Sequence, residues 1–365
     1  MTDQETSRLT EAQRICDALL EPNAEHVDRS GQVPRENLEA LAAAGLADGT
    51  FGGDAFRRGL VEALCGACGT TYFVLIQHLG SCGQIAGSAN PSLRERFMAE
   101  MITGKHYVGV GFGHLRRPQP MLRATPITGG WLLNGVAPWV TGWPTLSATI
   151  YGAHLPDGRH IYLYAPAIES EHQRVSAPLP LCAMGATETV ETTLTDLFVP
   201  ESDWVRDSSP EQLAASDTAN LCNNVAPMFG VTRGSIRLLR QLAQKKPFPV
   251  LSQAADALEA EMKTCRECCF TLSDGDKSLP DWRVRALHAR AWAIELGVRA
   301  AHTGVAAASG GANSLDHPAQ RRMREAMFYT LFQQTSEILQ GTVAHLARVS
   351  TPPHTDEALL RVRSH

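Results

Sequence analysis

The sequence holds no apolar run approaching the ~18 residues that a membrane-spanning helix needs. Its N-terminus, MTDQETSRLT, is polar and carries acids, which does not fit a secretory signal. No basic stripe stands out and the formal net charge is −5, which argues against nucleic acid as the main partner. Internal repeats and low-complexity segments are missing as well. These absences lead to the expectation of a cytoplasmic protein with neither a membrane nor a nucleic acid as partner. A disulfide framework is not expected either, because the nine cysteines are odd in number and the chain is long. Cys65-x-x-Cys68 and Cys265-x-x-Cys268 have the spacing of a four-thiolate zinc site. Both pairs nevertheless lie in Ala-rich stretches that read as helix, where cysteine serves as a small buried hydrophobe, and no metal is expected. A chain of 365 residues with 44% apolar content can bury a core without such staples, and its length fits two or three compact units.

Three textures follow one another. Residues 1–105 read as a helical domain. Leu9, Ile15, Leu19 and Leu20 recur on one face of a first helix that Pro22 is expected to end. A second helix opens after Pro34, with Leu38, Leu41 and Leu46 at helical spacing and Gly45 near its end. Ala55 to Leu79 reads as one or two buried helices. Residues 106–215 change character: short runs rich in β-branched and aromatic residues (HYVGVGF, GWLLNGVAPWV, SATIYGA, RHIYLYAP, ETVETTLTDLFVP) alternate with glycine and proline. Gly129-Gly130 and Asp157-Gly158 suit hairpin turns. The expected domain is an antiparallel β-barrel or sandwich of roughly seven strands. Residues 216–350 return to helical spacing, with roughly four or five helices expected near 218–243, 250–272, 281–308, 318–333 and 336–348. A polar tail, 351–365, follows. The expected class is α+β multidomain: an N-terminal helical domain, a middle β domain and a C-terminal antiparallel helix bundle.

This order, together with several local strings, resembles the acyl-CoA dehydrogenase superfamily of flavoproteins, which includes related flavin-dependent monooxygenases. VDRSGQVPRENLEALAAAGL and Phe51-Gly52-Gly53 are similar to the family's opening stretch. GGWLLNGVAPWVTG is similar to its "GG-x-x-I-N-G-x-K-x-W-I-T-N/G". Met184-Gly185-Ala186-Thr187 and the run ending LFVP resemble "G-M-R-x-T … F-x-D-V-x-V-P". Gly310-Gly311 and REAMFYTLFQQTSEI resemble "GG … RDAxIxxIYEGTSEI". The resemblance implies FAD as cofactor, with FMN or a reduced flavin from a partner reductase as variants. It also implies an acyl-thioester or related small substrate and a homodimer or homotetramer. A flavin needs a flat apolar wall and a hydrogen-bond partner near N5. Trp139 can be the wall. Thr141, two positions on, faces the same side of an extended strand and can supply the hydroxyl. An ordinary core Trp beside a turn Thr is the bland alternative. By the same resemblance Gly310 and Gly311 let backbone approach the dinucleotide, unless they simply end a helix. Thr335 and Glu337 fall where the family contacts the dinucleotide, and also where a helix N-cap would stand.

The sequence departs from the family at the catalytic carboxylate. A dehydrogenase of this type needs a base for the α-proton. The family's Glu in YEG falls on Gln333, and the alternative position at the start of the C-terminal domain falls on Asn223, with a neighbouring Arg position on Asn224. A neutral amide is no general base near pH 7. The family's "TEP-x-x-GSD" loop is replaced by GFGHLRRPQP. There His114 is a candidate relocated base or substrate donor, and Arg116 and Arg117 are either phosphate ligands or a solvated pair. The "R-K-x-F-G" motif survives only as KKPFP, Lys245 to Pro249. The leading expectation is a flavin-dependent oxidoreductase outside standard β-oxidation, acting on a CoA- or carrier-bound acyl group. The alternatives are a reduced-flavin-dependent monooxygenase, hydroxylating N, S or C through a C4a-hydroperoxyflavin, and a catalytically degenerate flavoprotein subunit.

Overall fold

The computed structural model describes residues 1–117 and 119–349; the expected tail, 351–365, lies outside the described residues. The chain forms two compact units, Met1–Leu60 with Thr70–Leu213 and Val61–Gly69 with Ala214 onward. Among the described residues no helix is long and apolar enough to cross a membrane.

The first unit opens on α1 (Asp3–Ile15), whose start is fixed by a capping box: the Glu5 amide donates to Thr2 Oγ1 and the Thr2 amide to Glu5 Oε2. Pro22 does not end this helix, contrary to the sequence expectation. The chain passes through a π turn, Cys16–Leu20, into α2 (Glu21–Ser30). Pro22 sits in the first turn of α2, where its missing N–H leaves no helical bond unmade. The stop comes at Gly31, in the left-handed region. α3 (Arg35–Ala43), α4 (Asp54–Ala67), α5 (Gly69–Ala86) and α6 (Pro91–Ile102) follow, and α4 runs on into the second unit.

Eight strands then form one sheet: β1 (Val108–Gly111), β2 (Leu122–Ile127), β3 (Gly130–Val140), β4 (Ala148–His154), β5 (His160–Pro166), β6 (Gln173–Val175), β7 (Val190–Pro200) and β8 (Trp204–Ser208). Their order is β6-β7-β3-β2-β4-β5-β8, with β1 pairing β4 in parallel. β2 and β4 meet, also in parallel, only at Arg123 and His154, and the other pairs are antiparallel. The sheet is open, so the barrel expected from the sequence does not close: β6 and β8 end the ladder without pairing each other. Gly129 and Gly158 take positive φ in the two expected hairpin turns. The strand period of two divides the core. Tyr151, Ala153, Ile161, Leu163 and Ala165 pack inside the sheet with Leu133, Val190 and Leu194. Ile150, Tyr162 and Tyr164, on the other face, pack with Cys82 and Ile85 of α5 and Leu93 and Met101 of α6.

The second unit comprises the end of α4, most of α7 (Pro210–Ala219), and α8 (Ala226–Lys245), α9 (Pro249–Asp274), α10 (Trp282–Ala308), α11 (Pro318–Leu331) and α12 (Ser336–Leu346). α10 packs against α8, α9, α11 and α12. The helix expected from 218 starts only at Ala226, because Asn220–Val225 forms turns and Pro227 occupies the first turn of α8. A buried ion cluster closes the break between α4 and α5. Arg322 Nη2 donates to Gly66 O (2.7 Å) and Arg321 Nη1 to Ala67 O (3.2 Å), while Glu325 Oε1 accepts from the Gly69 amide (3.0 Å). Cations thus meet the carbonyl end of α4 and an anion meets the amide end of α5, as the helix dipoles favour. Both arginines also donate to Glu325, at 2.9 and 3.1 Å.

Candidate active site

The PWVTG turn closes β3 in the first unit. Trp139 is 48% exposed, an unusual position for so large an aromatic surface and one suited to a flat ligand. The ladder with β7 is irregular between Ala137 and Val140, and β3 ends at Val140. Strict alternation therefore does not carry through to Thr141: the indole stands in the open and the Thr141 side chain is buried. Thr141 Oγ1 lies 3.0 Å from Thr189 Oγ1, which lies 2.8 Å from Thr187 Oγ1, and Thr187 donates to Met184 O at 2.7 Å. The Gly142 amide donates to Thr187 O (2.8 Å), and Gly142 takes a φ of 80°. These bonds stitch the turn to the MGATET segment. The Thr187 proton goes to Met184 O, so Thr189 donates to Thr187 and Thr141 to Thr189, and Thr141 keeps only acceptor capacity. The half-exposed indole suits the flat ring of a flavin, whereas Thr141 does not share its open face as the sequence reading expected.

The MGATET segment holds two non-glycine residues at positive φ, Met184 (61°) and Glu188 (47°). Glu188 is half-buried, and burial alone pushes its carboxyl above the ordinary range. Sequence reasoning missed this residue. The signal was an acid set between the two threonines of the segment, but residue type does not announce a left-handed backbone.

His114 lies in a short 3-10 turn, Gly113–Arg116, after β1. It is 2% exposed, and among the described residues neither ring nitrogen has a hydrogen-bond partner. Burial lowers its pKa to about 4, helped by His154, Arg117 and His160; the Gly152 carbonyl opposes the shift from outside hydrogen-bonding geometry. His154 and His160 stand edge to face with centroids 4.7 Å apart. The ring is thus neutral at pH 7 and closed to solvent. Arg116 and Arg117 are exposed.

In the second unit, the turn before α8 and the turn after α11 come together. Asn224 Nδ2 donates to Gln333 Oε1, and Gln333 takes a φ of 50°. Asn223 Nδ2 reaches Asn220 Oδ1 at 3.5 Å. Behind them Arg290, 2% exposed, donates from Nη1 to Leu221 O (2.9 Å) and from Nη2 to Phe332 O (2.8 Å), clamping both turns. Burial lowers the Arg290 pKa to about 10. The two segments in which a catalytic carboxylate was sought are therefore neighbours in this unit, and both present amides. Thr335 is the N-cap of α12, its Oγ1 accepting from the Ile338 amide, and Glu337 forms a forked ion pair with Arg283 at 2.6 and 3.1 Å. Gly310 and Gly311 lie in the 3-10 turn Ser309–Asn313, and a Cβ on Gly310 would meet nothing within 4 Å. Lys246 Nζ donates to Ala307 O (2.5 Å) and Ser309 Oγ (3.3 Å), so the KKPFP and glycine-pair segments also meet.

Residues 2–105 match the family model for the acyl-CoA dehydrogenase N-terminal domain. Over the whole chain, butyryl-CoA dehydrogenase from Megasphaera elsdenii superposes with a TM-score of 0.80 at 16% identity, covering 95% of this chain and 99% of that one. The fold is that of the acyl-CoA dehydrogenases. A glutaryl-CoA dehydrogenase from Mycobacterium smegmatis, solved in complex with FADH2, gives a TM-score of 0.76 at 14% identity, covering 96% of each chain. FkbI, a protein for biosynthesis of the methoxymalonyl extender unit of the polyketide Fk520, gives 0.75 at 18% identity, covering 93% of this chain and all of that one. No curated protein matches in sequence.

Proposed function

We propose that this chain is a flavin-dependent oxidoreductase that holds FAD against Trp139 and acts on an acyl thioester or a related small substrate. The observation that carries this reading is the half-exposed Trp139 indole joined through Thr141 to a chain of buried hydroxyls, on this fold. When bound, the flavin supplies two-electron redox chemistry at its N5 edge. Trp139 presents the flat wall, and Thr141, buried behind it, ties the turn to the MGATET segment. In the second unit, Gly310, Gly311, Thr335 and Glu337 hold the positions that the resemblance gives to a dinucleotide, and a Cβ on Gly310 would meet nothing within 4 Å. Asn223 and Gln333, in the same unit, occupy the two positions that the resemblance gives to a catalytic base, and they bring amides there. They hold no proton-accepting group, which argues against standard β-oxidation. A homo-oligomer is part of the proposal: α12 exposes Leu339, Val343 and Leu346 along one stripe, which suits a packing face. An acyl-carrier partner fits the same thioester chemistry.

The amides favour one second reading, a reduced-flavin-dependent monooxygenase. Its chemistry requires no α-proton base, so Asn223 and Gln333 suit it as they stand; a partner reductase would supply reduced FAD or FMN. Two assays separate the readings. Anaerobic bleaching of protein-bound flavin by an acyl thioester supports the dehydrogenase. Oxygen-dependent hydroxylation that requires NADH and a separate reductase supports the monooxygenase. Failure of both, in a protein that binds flavin, would leave neither standing.

A further inference from the structure

A dehydrogenase built on this chain lacks a proton acceptor at both amide positions, and His114 is closed to solvent. The first unit nevertheless holds a carboxylate within the segment tied to Trp139. Glu188 stands between Thr187 and Thr189, whose hydroxyls bond each other, and Thr189 bonds Thr141. Its backbone is left-handed, φ 47° and ψ 44°, a conformation that favours glycine. Met184, four residues earlier, is left-handed too. Non-glycine residues persist in such conformations only where the surroundings impose them, and they gather at functional sites. The Glu188 side chain is half-buried, and no described residue gives it a hydrogen bond or an ion pair. Partial burial with no donor and no cation among the described residues is unfavourable for a carboxylate whose role is structural. The same setting suits one that must take up a proton, because loss of water makes it a stronger base.

We propose that Glu188 is the general base of this site, with its carboxylate taking the α-proton of an acyl thioester. The step is proton transfer alone. The α-C–H bond breaks, the proton bonds to a Glu188 Oε, and the electron pair passes into the thioester carbonyl as an enolate. No oxidant is consumed in it. The inference rests on the proposed function for its substrate class.

The test uses the full-length chain with Glu188→Gln and Glu188→Gly, each prepared flavin-free and FAD-loaded. Gln keeps the shape and removes the base. Gly removes the base and also relieves the left-handed backbone. The readouts are α-deuterium incorporation into butyryl-CoA in D2O, followed by mass spectrometry, and thermal unfolding. Expected is exchange by the unaltered chain that rises with pH through a single ionisation above the ordinary Glu range. Both variants should slow it by about 10²-fold or more. Glu188→Gly should melt at or above the unaltered protein, a combination that a purely structural role does not produce. Exchange that persists in both variants would overturn the proposal and leave the flavin reading intact. So would an unaltered chain that binds FAD but exchanges no α-proton, an outcome that favours the monooxygenase. A chain that binds no flavin defeats the proposed function, while exchange in the flavin-free protein still decides the role of Glu188.

Discussion

Replacing His114 by Leu tests how the first unit responds to acid. The imidazole is buried without a partner at either nitrogen, and its pKa falls from 6.5 to about 4 on folding. Between those values the unfolded chain binds more protons than the folded one. Stability is therefore flat above pH 6.5 and falls as the pH drops toward 4. At about 1.4 kcal/mol per pH unit the full shift amounts to roughly 3 kcal/mol. His78 carries the same shift, again chiefly from burial, with His106 helping and the Met101 carbonyl opposing it. Its Nε2 lies 2.9 Å from Met101 O and its Nδ1 accepts from the Val108 amide, a bond that protonation would also break. His114→Leu should therefore remove about half of the acid loss that these two histidines cause, or roughly 3 kcal/mol by pH 4. At pH 7.5 it should alter stability by no more than about 1 kcal/mol, because it deletes two polar atoms that have no partner. Urea unfolding followed by circular dichroism at pH 7.5 and 4.5 reads both quantities. An unchanged acid loss would refute the reasoning. A loss above about 2 kcal/mol at neutral pH would show that the ring makes a needed contact. Loss of flavin-linked turnover in the same variant would restore His114 as a candidate base.

Trp139→Ala should weaken FAD binding by about 5- to 150-fold, the range set by ~1–3 kcal/mol of aromatic stacking. Its unfolding midpoint should change little, since the indole is already half exposed; a flavin titration and a urea melt check the two arms. Glu325→Ala leaves Arg321 and Arg322 buried without their shared carboxylate and should cost about 3–5 kcal/mol, read by denaturant unfolding. Arg290→Met releases the Leu221 and Phe332 carbonyls. Hydrogen exchange should then quicken in residues 221–225 and 331–335 ahead of the helices around them, with Arg290→Lys intermediate.

Element order and many boundaries were legible in the sequence because they rest on local chemistry. Gly129 and Gly158 mark hairpins through backbone freedom, Gly45 closes the turn after α3, and Pro318 and Thr335 mark the starts of α11 and α12. Features that depend on tertiary pairing were not legible. Pro22 reads as a stop, yet a π turn shifts the helix register so that it falls in a first turn. Nothing in GWLLNGVAPWV reveals that its ladder turns irregular before Thr141. The candidate site divides in the same way. The Trp139 and Thr141 segment and the amides Asn223, Asn224 and Gln333 could be read from motif positions. The burial of His114, the clamp by Arg290 and the left-handed Glu188 depend on neighbours distant in sequence or on backbone conformation.

Equilibrium binding reads the flavin seat at Trp139 without relying on turnover. Purified protein freed of bound flavin should be titrated with oxidised and with reduced FAD while tryptophan fluorescence and flavin absorbance are recorded. Saturable binding of at least one redox form is expected, with a component of the quenching that is lost in Trp139→Ala. Binding of neither form, or binding that is equally tight without the indole, would contradict that seat.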